Sequence, residues 1–80
     1  MEISILAFGI AKDIVGGKQL SFEVKEQSTV GELKVELLRT FPKFEKLQSL
    51  AIAVNSEYAQ NDQQLQASDE IVLIPPVSGG

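Results

Sequence analysis

Side chains able to do chemistry are scarce in this sequence, which turns attention to its main chain. Among the 80 residues there is no His, no Cys and no Trp. That removes the imidazole base, the thiol nucleophile, the disulfide framework and the usual kind of zinc site. What stands out instead is Pro75-Pro76-Val77-Ser78-Gly79-Gly80, directly after the apolar run Ile71-Val72-Leu73-Ile74. Two prolines remove two backbone donors and favour an extended polyproline conformation, so a strand cannot continue and the following residues are directed away from the domain. Fully extended, six residues reach about 20 Å, enough to enter a partner while the globular part stays outside. Glycines lack a Cβ, so Gly79 and Gly80 fit the narrowest tunnel and leave a terminal carboxylate sterically bare. Such a carboxylate can be activated, for example by adenylation, and then accept a nucleophile. A Gly-Gly pair alone is weak, since a frayed terminus or an expression scar produces it too. Its weight comes from the Pro-Pro and the apolar strand that precede it.

Other constellations carry less. Gly16-Gly17 lacks the Gly-Lys-Ser/Thr that would complete a phosphate-binding loop and reads as a turn. Asp62, Asp69 and Glu70 match no EF-hand spacing and read as loop residues in water.

The elements that must position the tail belong to one small domain. A chain of this length buries roughly 60 % of the surface its unfolded form exposes and has no room for a second core. Eleven acidic against seven basic residues give a net charge of −4, which disfavours duplex nucleic acid and anionic membranes, both of which require clustered Lys and Arg. The N-terminus does not read as a signal peptide, and no apolar run approaches the roughly 20 residues of a membrane span. A soluble, cytoplasmic protein is the expectation.

Period-two alternation and β-branched content place strands at Ile3 to Phe8, Leu20 to Val24 and Ala51 to Val54. A short fourth strand is expected at Tyr58-Ala59-Gln60 after a turn at Asn55-Ser56-Glu57, and the last strand at Ile71 to Ile74. The stretch Ile10 to Val15 reads as a short helix. Thr29-Val30-Gly31-Glu32 fits a capping box, and Val30, Leu33 and Leu37 form an apolar stripe on a helix that ends before Pro42. Gly31 sits awkwardly in its first turn, where it costs about 1 kcal/mol against Ala. Lys43-Phe44-Glu45-Lys46-Leu47 reads as an amphipathic turn packing Phe44 and Leu47. The resulting order describes an α+β architecture, a mixed sheet with one main helix across one face. Ubiquitin-like β-grasp domains have this plan, with the first and last strands central and parallel. The domain is expected over 1–74 and the extended tail over 75–80.

The sequence resembles the small, ubiquitin-like subunits of molybdopterin synthases, sulfur carriers of the MoaD type. The likeness runs through Ile5-Leu6-Ala7-Phe8, Val15-Gly16, Thr29-Val30 with Leu33, and Ala53-Val54-Asn55. It continues at Asp62, Leu65 and Asp69-Glu70, and is most specific in Ile74-Pro75-Pro76-Val77-Ser78-Gly79-Gly80. This resemblance implies that the Gly80 carboxylate is adenylated by an E1-like partner that consumes ATP and is then converted to a thiocarboxylate. The charged carrier docks on a large synthase subunit, where its sulfur passes to a cyclic pterin phosphate precursor during molybdenum cofactor biosynthesis. It also implies a heterotetramer with the large subunit, no cofactor bound by this chain, and no catalytic side chain of its own. A monomeric free chain is expected because its apolar patch is small and reserved for two successive partners. Strand parity puts Leu6, Phe8, Val72 and Ile74 on the face opposite the helix with Tyr58 at the rim, either as a partner contact or as part of the core. The resemblance favours Phe8, Tyr58 and Ile74 in the interface and gives Lys12 a polar contact there. Two alternatives share the terminal chemistry: a carrier for thiamin or cysteine biosynthesis, and a modifier joined to lysines of other proteins.

Overall fold

The computed structural model describes residues 1–46 and 50–75. Strand β1 (Glu2–Ala7) is followed by helix α1 (Gly9–Val15), strand β2 (Gln19–Glu23) and helix α2 (Val30–Thr40). A 3₁₀ turn at Pro42–Lys46 leads to β3 (Ala51–Val54), β4 (Glu57–Tyr58) and β5 (Glu70–Ile74). The strands form one sheet in the order β2-β1-β5-β3-β4, with β1 and β5 parallel and the other neighbours antiparallel. This is the expected α+β β-grasp arrangement, with its first and last strands adjacent in the interior of the sheet. The Pro76-to-Gly80 segment and Leu47 lie outside the described residues.

The core lies between the sheet and α2. Ile3, Ile5 and Ala7 of β1, Ile52 and Val54 of β3, and Ile71 and Leu73 of β5 join Val30, Leu33 and Leu37 of α2 in one buried cluster. Each fully buried Leu or Ile contributes about 1.5–3 kcal/mol, so the α2 stripe outweighs the local cost of Gly31 several times over. The Thr29 capping box is present: Thr29 Oγ1 accepts from Glu32 N at 3.2 Å, and Glu32 Oε1 accepts from Thr29 N at 2.9 Å. Two further N–H groups of the first turn donate to a neighbouring loop, Val30 N to Gln63 O and Gly31 N to Asn61 O, both at 2.9 Å. The helix start therefore has its unpaired donors satisfied by a segment thirty residues further along. That contact also explains Gly31, whose added Cβ would lie 3.2 Å from both Cβ and O of Asn61. Leu65 plugs the same loop into the core and is buried.

Five local expectations shift: β1 runs Glu2–Ala7 rather than Ile3 to Phe8, which leaves Phe8 as the cap of α1, and β5 starts one residue earlier, at Glu70. Strand β2 begins one residue earlier and ends at Glu23, and α1 begins at Gly9, whose φ of +57° glycine adopts without strain. The fourth strand is Glu57–Tyr58 rather than Tyr58-Ala59-Gln60. Asn55 and Ser56 both take positive φ, +53° and +72°, so two residues suffice for the turn and Glu57 is already paired with Val54. Phe44 is buried in the 3₁₀ turn, edge-on to Phe41 with ring centroids 6.0 Å apart.

Candidate functional site

The face of the sheet turned away from α2 carries the even-numbered residues of β1 and β5. Register aligns them into a row: Leu6 is opposite Val72, Val72 opposite Ala53, and Ala53 opposite Tyr58. Ile74, two residues beyond Val72, stands opposite Ala51. Phe8, two residues beyond Leu6, lies at the same end of the face. The structure thus brings Leu6, Phe8, Val72, Ile74 and Tyr58 onto one surface at the end of β5 from which the tail departs. Leu6, Val72 and Ile74 are half-buried, whereas Phe8 is 53 % and Tyr58 74 % exposed. Two aromatic rings this open are poorly used for folding and well suited to anchoring a partner, where buried aromatics carry much of the binding energy. Toward the other end the face turns polar, with Ser4 opposite Glu70 and Glu2 opposite Glu23.

Helix α1 frames the tail end. Phe8 caps it in extended conformation (φ −129°, ψ 160°), and its carbonyl accepts from Ala11 N at 3.1 Å and Lys12 N at 3.4 Å. Lys12 is exposed on this helix, and its carbonyl accepts from Gly16 N and Gly17 N, which closes the C-terminal turn. A Cβ at Gly9 would touch the Pro75 ring at 3.7 Å, so the first tail residue lies beside the β1–α1 corner. Ile10, 49 % exposed at that corner, was not singled out by sequence reasoning. Its clue was an apolar side chain in a helix of which only Ala11 is fully buried. Ala51 and Ala53 were likewise passed over. Their place on this face follows only from the pairing of β3 with β5. The remaining site residues of the sequence reading, Pro76, Val77, Ser78, Gly79 and Gly80, lie outside the described residues.

A groove elsewhere, between the β2–α2 connection and α2, is lined by Lys25, Ser28, Glu32, Val35, Glu36 and Arg39, among others. Its polar groups are largely engaged: Ser28 donates to Lys25 O, Glu32 serves the helix cap, and Glu36 pairs with Arg39 at 3.4 Å. No group of three or more Asp or Glu able to hold a metal ion occurs among the described residues.

A family model, the ThiS family, matches residues 5–80. The chain belongs to the ThiS family. A molybdopterin synthase sulfur carrier subunit of Arabidopsis thaliana is 35 % identical to this ThiS-family chain, over all of it and 84 % of the plant protein. SAMP1 of Haloferax volcanii superposes with a TM-score of 0.82 at 25 % identity, covering all of both chains. A chain from the Helicobacter pylori complex of subunits 1 and 2 of molybdopterin-converting factor matches at TM-score 0.67 and 26 % identity, again covering all of both chains.

Proposed function

We propose that this chain is the sulfur-carrier small subunit of a molybdopterin synthase and that sulfur travels on the main-chain carboxyl of Gly80. The observation that carries the reading is end-to-end similarity to a protein of that description, 35 % identical over the whole chain, within a family match that runs to residue 80. The chemistry agrees with what the chain lacks. Having no thiol and no imidazole, it needs an activating partner. An E1-like enzyme joins the Gly80 carboxylate to AMP from ATP, releasing pyrophosphate, and a sulfur donor then displaces AMP to leave a thiocarboxylate. That anionic sulfur attacks the cyclic pterin phosphate precursor inside the large subunit, and water then cleaves the acyl–sulfur bond, leaving sulfur on the pterin and restoring the Gly80 carboxylate. Until the attack, shielding from bulk water protects the thiocarboxylate from hydrolysis. Gly79 allows passage, and Pro75-Pro76-Val77-Ser78 set direction and reach. ATP is used by the partner, and this chain binds no cofactor. The free chain is a monomer acting in the cytoplasm, and the working complex is a heterotetramer with the large subunit.

Phe8, Tyr58, Ile74 and Leu6, with Lys12 at the edge, are the contacts that hold the carrier on its partner. Ordering a tail costs about 1–2 kcal/mol per residue in backbone entropy, so an apolar docking face must offset it. The likeness to a subunit found in a protein–protein complex supports a protein partner for this chain.

A second reading, conjugation of Gly80 to lysines of other proteins, is favoured by the likeness to SAMP1, a small archaeal modifier protein. Intact-mass analysis of the chain from its native host separates the two. A single S-for-O exchange supports the carrier, and a ladder of conjugates supports the modifier. In a reconstituted synthase, deleting Gly80 is expected to abolish dithiolene formation while docking persists; full activity of the truncated chain overturns the proposal.

A further inference from the structure

A cluster of polar side chains where β3 ends and β5 begins is used by none of the steps above. Asn55 starts the two-residue β3–β4 turn in the left-handed region, and its side chain reaches across to the turn that opens β5. Its Nδ2 donates to Asp69 Oδ1 at 3.0 Å, and its Oδ1 accepts from Glu70 N at 2.9 Å. The main chains join as well, Asn55 N donating to Glu70 O at 2.8 Å. The second oxygen of Asp69 accepts from Gln66 N at 2.8 Å, which holds the 66–69 turn closed. Three hydrogen bonds thus fasten the tip of the hairpin to the start of the strand that leads into the tail, and the fourth holds the turn that presents Asp69.

The hairpin needs such support. Strand β4 has two residues at the sheet edge, and Ser56 holds φ +72° without being glycine. A ribbon this short is marginal alone, and a side chain at positive φ strains its turn. Yet β4 carries Tyr58, the most exposed large apolar side chain among the described residues.

We propose that Asn55 and Asp69 form a clasp that positions Tyr58 for docking, so that they act on partner affinity through Tyr58 without touching the partner. This rests on the assignment of the outer sheet face to the large subunit. The test is a double-mutant cycle on the full chain, with affinity for the large subunit measured by calorimetry and unfolding followed in parallel. Tyr58→Ala and Asp69→Ala are each expected to weaken binding about three- to tenfold, the scale of one or two lost contacts. The double variant should bind no worse than Tyr58→Ala, although its stability falls by the sum of both changes. Adding Ser56→Gly, which favours the same turn, should return part of the affinity lost in Asp69→Ala. Loss of binding by Asp69→Ala in full on the Tyr58→Ala background overturns the clasp, as does normal binding of Asp69→Ala where Tyr58→Ala is weakened. Normal binding by Tyr58→Ala overturns the clasp and removes Tyr58 from the docking reading as well. If Asp69→Ala fails to fold, Asp69→Asn, which retains one of the two acceptors, gives the same comparison.

Discussion

Single residues here act through neighbours distant in sequence. Gly31 is the plainest case: from the helix alone it looks like a defect, since Ala is about 1 kcal/mol better at an interior position. The Asn61 carbonyl that would crowd an added Cβ also accepts the Gly31 N–H at 2.9 Å, so it cannot retreat without giving up that bond. Gly31→Ala is therefore expected to destabilise the domain by about 1 kcal/mol despite the better helix propensity, read as a lowered denaturant midpoint at unchanged slope. A more stable variant would show that the 60–66 loop yields freely. Nothing local in Thr29-Val30-Gly31-Glu32 announces Asn61, which is why the requirement for glycine was illegible. The same holds for Asn55 and Asp69, whose side chains meet across fourteen positions.

At the scale of elements, the local rules worked where one element closes on itself. The capping box of α2 and its Val30, Leu33, Leu37 stripe were readable because a helix repeats every 3.6 residues and its cap needs only four consecutive positions. Thr29→Ala is expected to cost about 1 kcal/mol, measured by equilibrium unfolding. The loss should stay near that value because Val30 and Gly31 keep their donors on Gln63 and Asn61. The boundaries of β4 were less legible. An Asn-Ser pair is a weaker turn marker than Asn-Gly, and the hydrogen bonds that hold Asn55 at the start of this turn come from Asp69 and Glu70, far along the chain.

For the molecule as a whole, the outer sheet face is the surface on which the proposed docking depends. Phe8→Asp is expected to weaken association with the large subunit by about 2 kcal/mol, roughly thirtyfold, the scale of a central aromatic anchor. Because Phe8 is half exposed, the unfolding midpoint should barely move. Unchanged affinity in a titration of the two subunits would take Phe8 out of the interface. The sequence by itself determined that sulfur, if carried, travels on the main chain, because no His or Cys is present. It also sorted β1 and β5 into two faces, because alternation along a strand has a period of two. Only the tertiary structure decided which strands lie side by side, and so that Leu6, Val72, Ala53 and Tyr58 form one row. Register between strands so far apart is set by how the buried residues of β1, β3 and β5 pack against α2, and no local period encodes that choice.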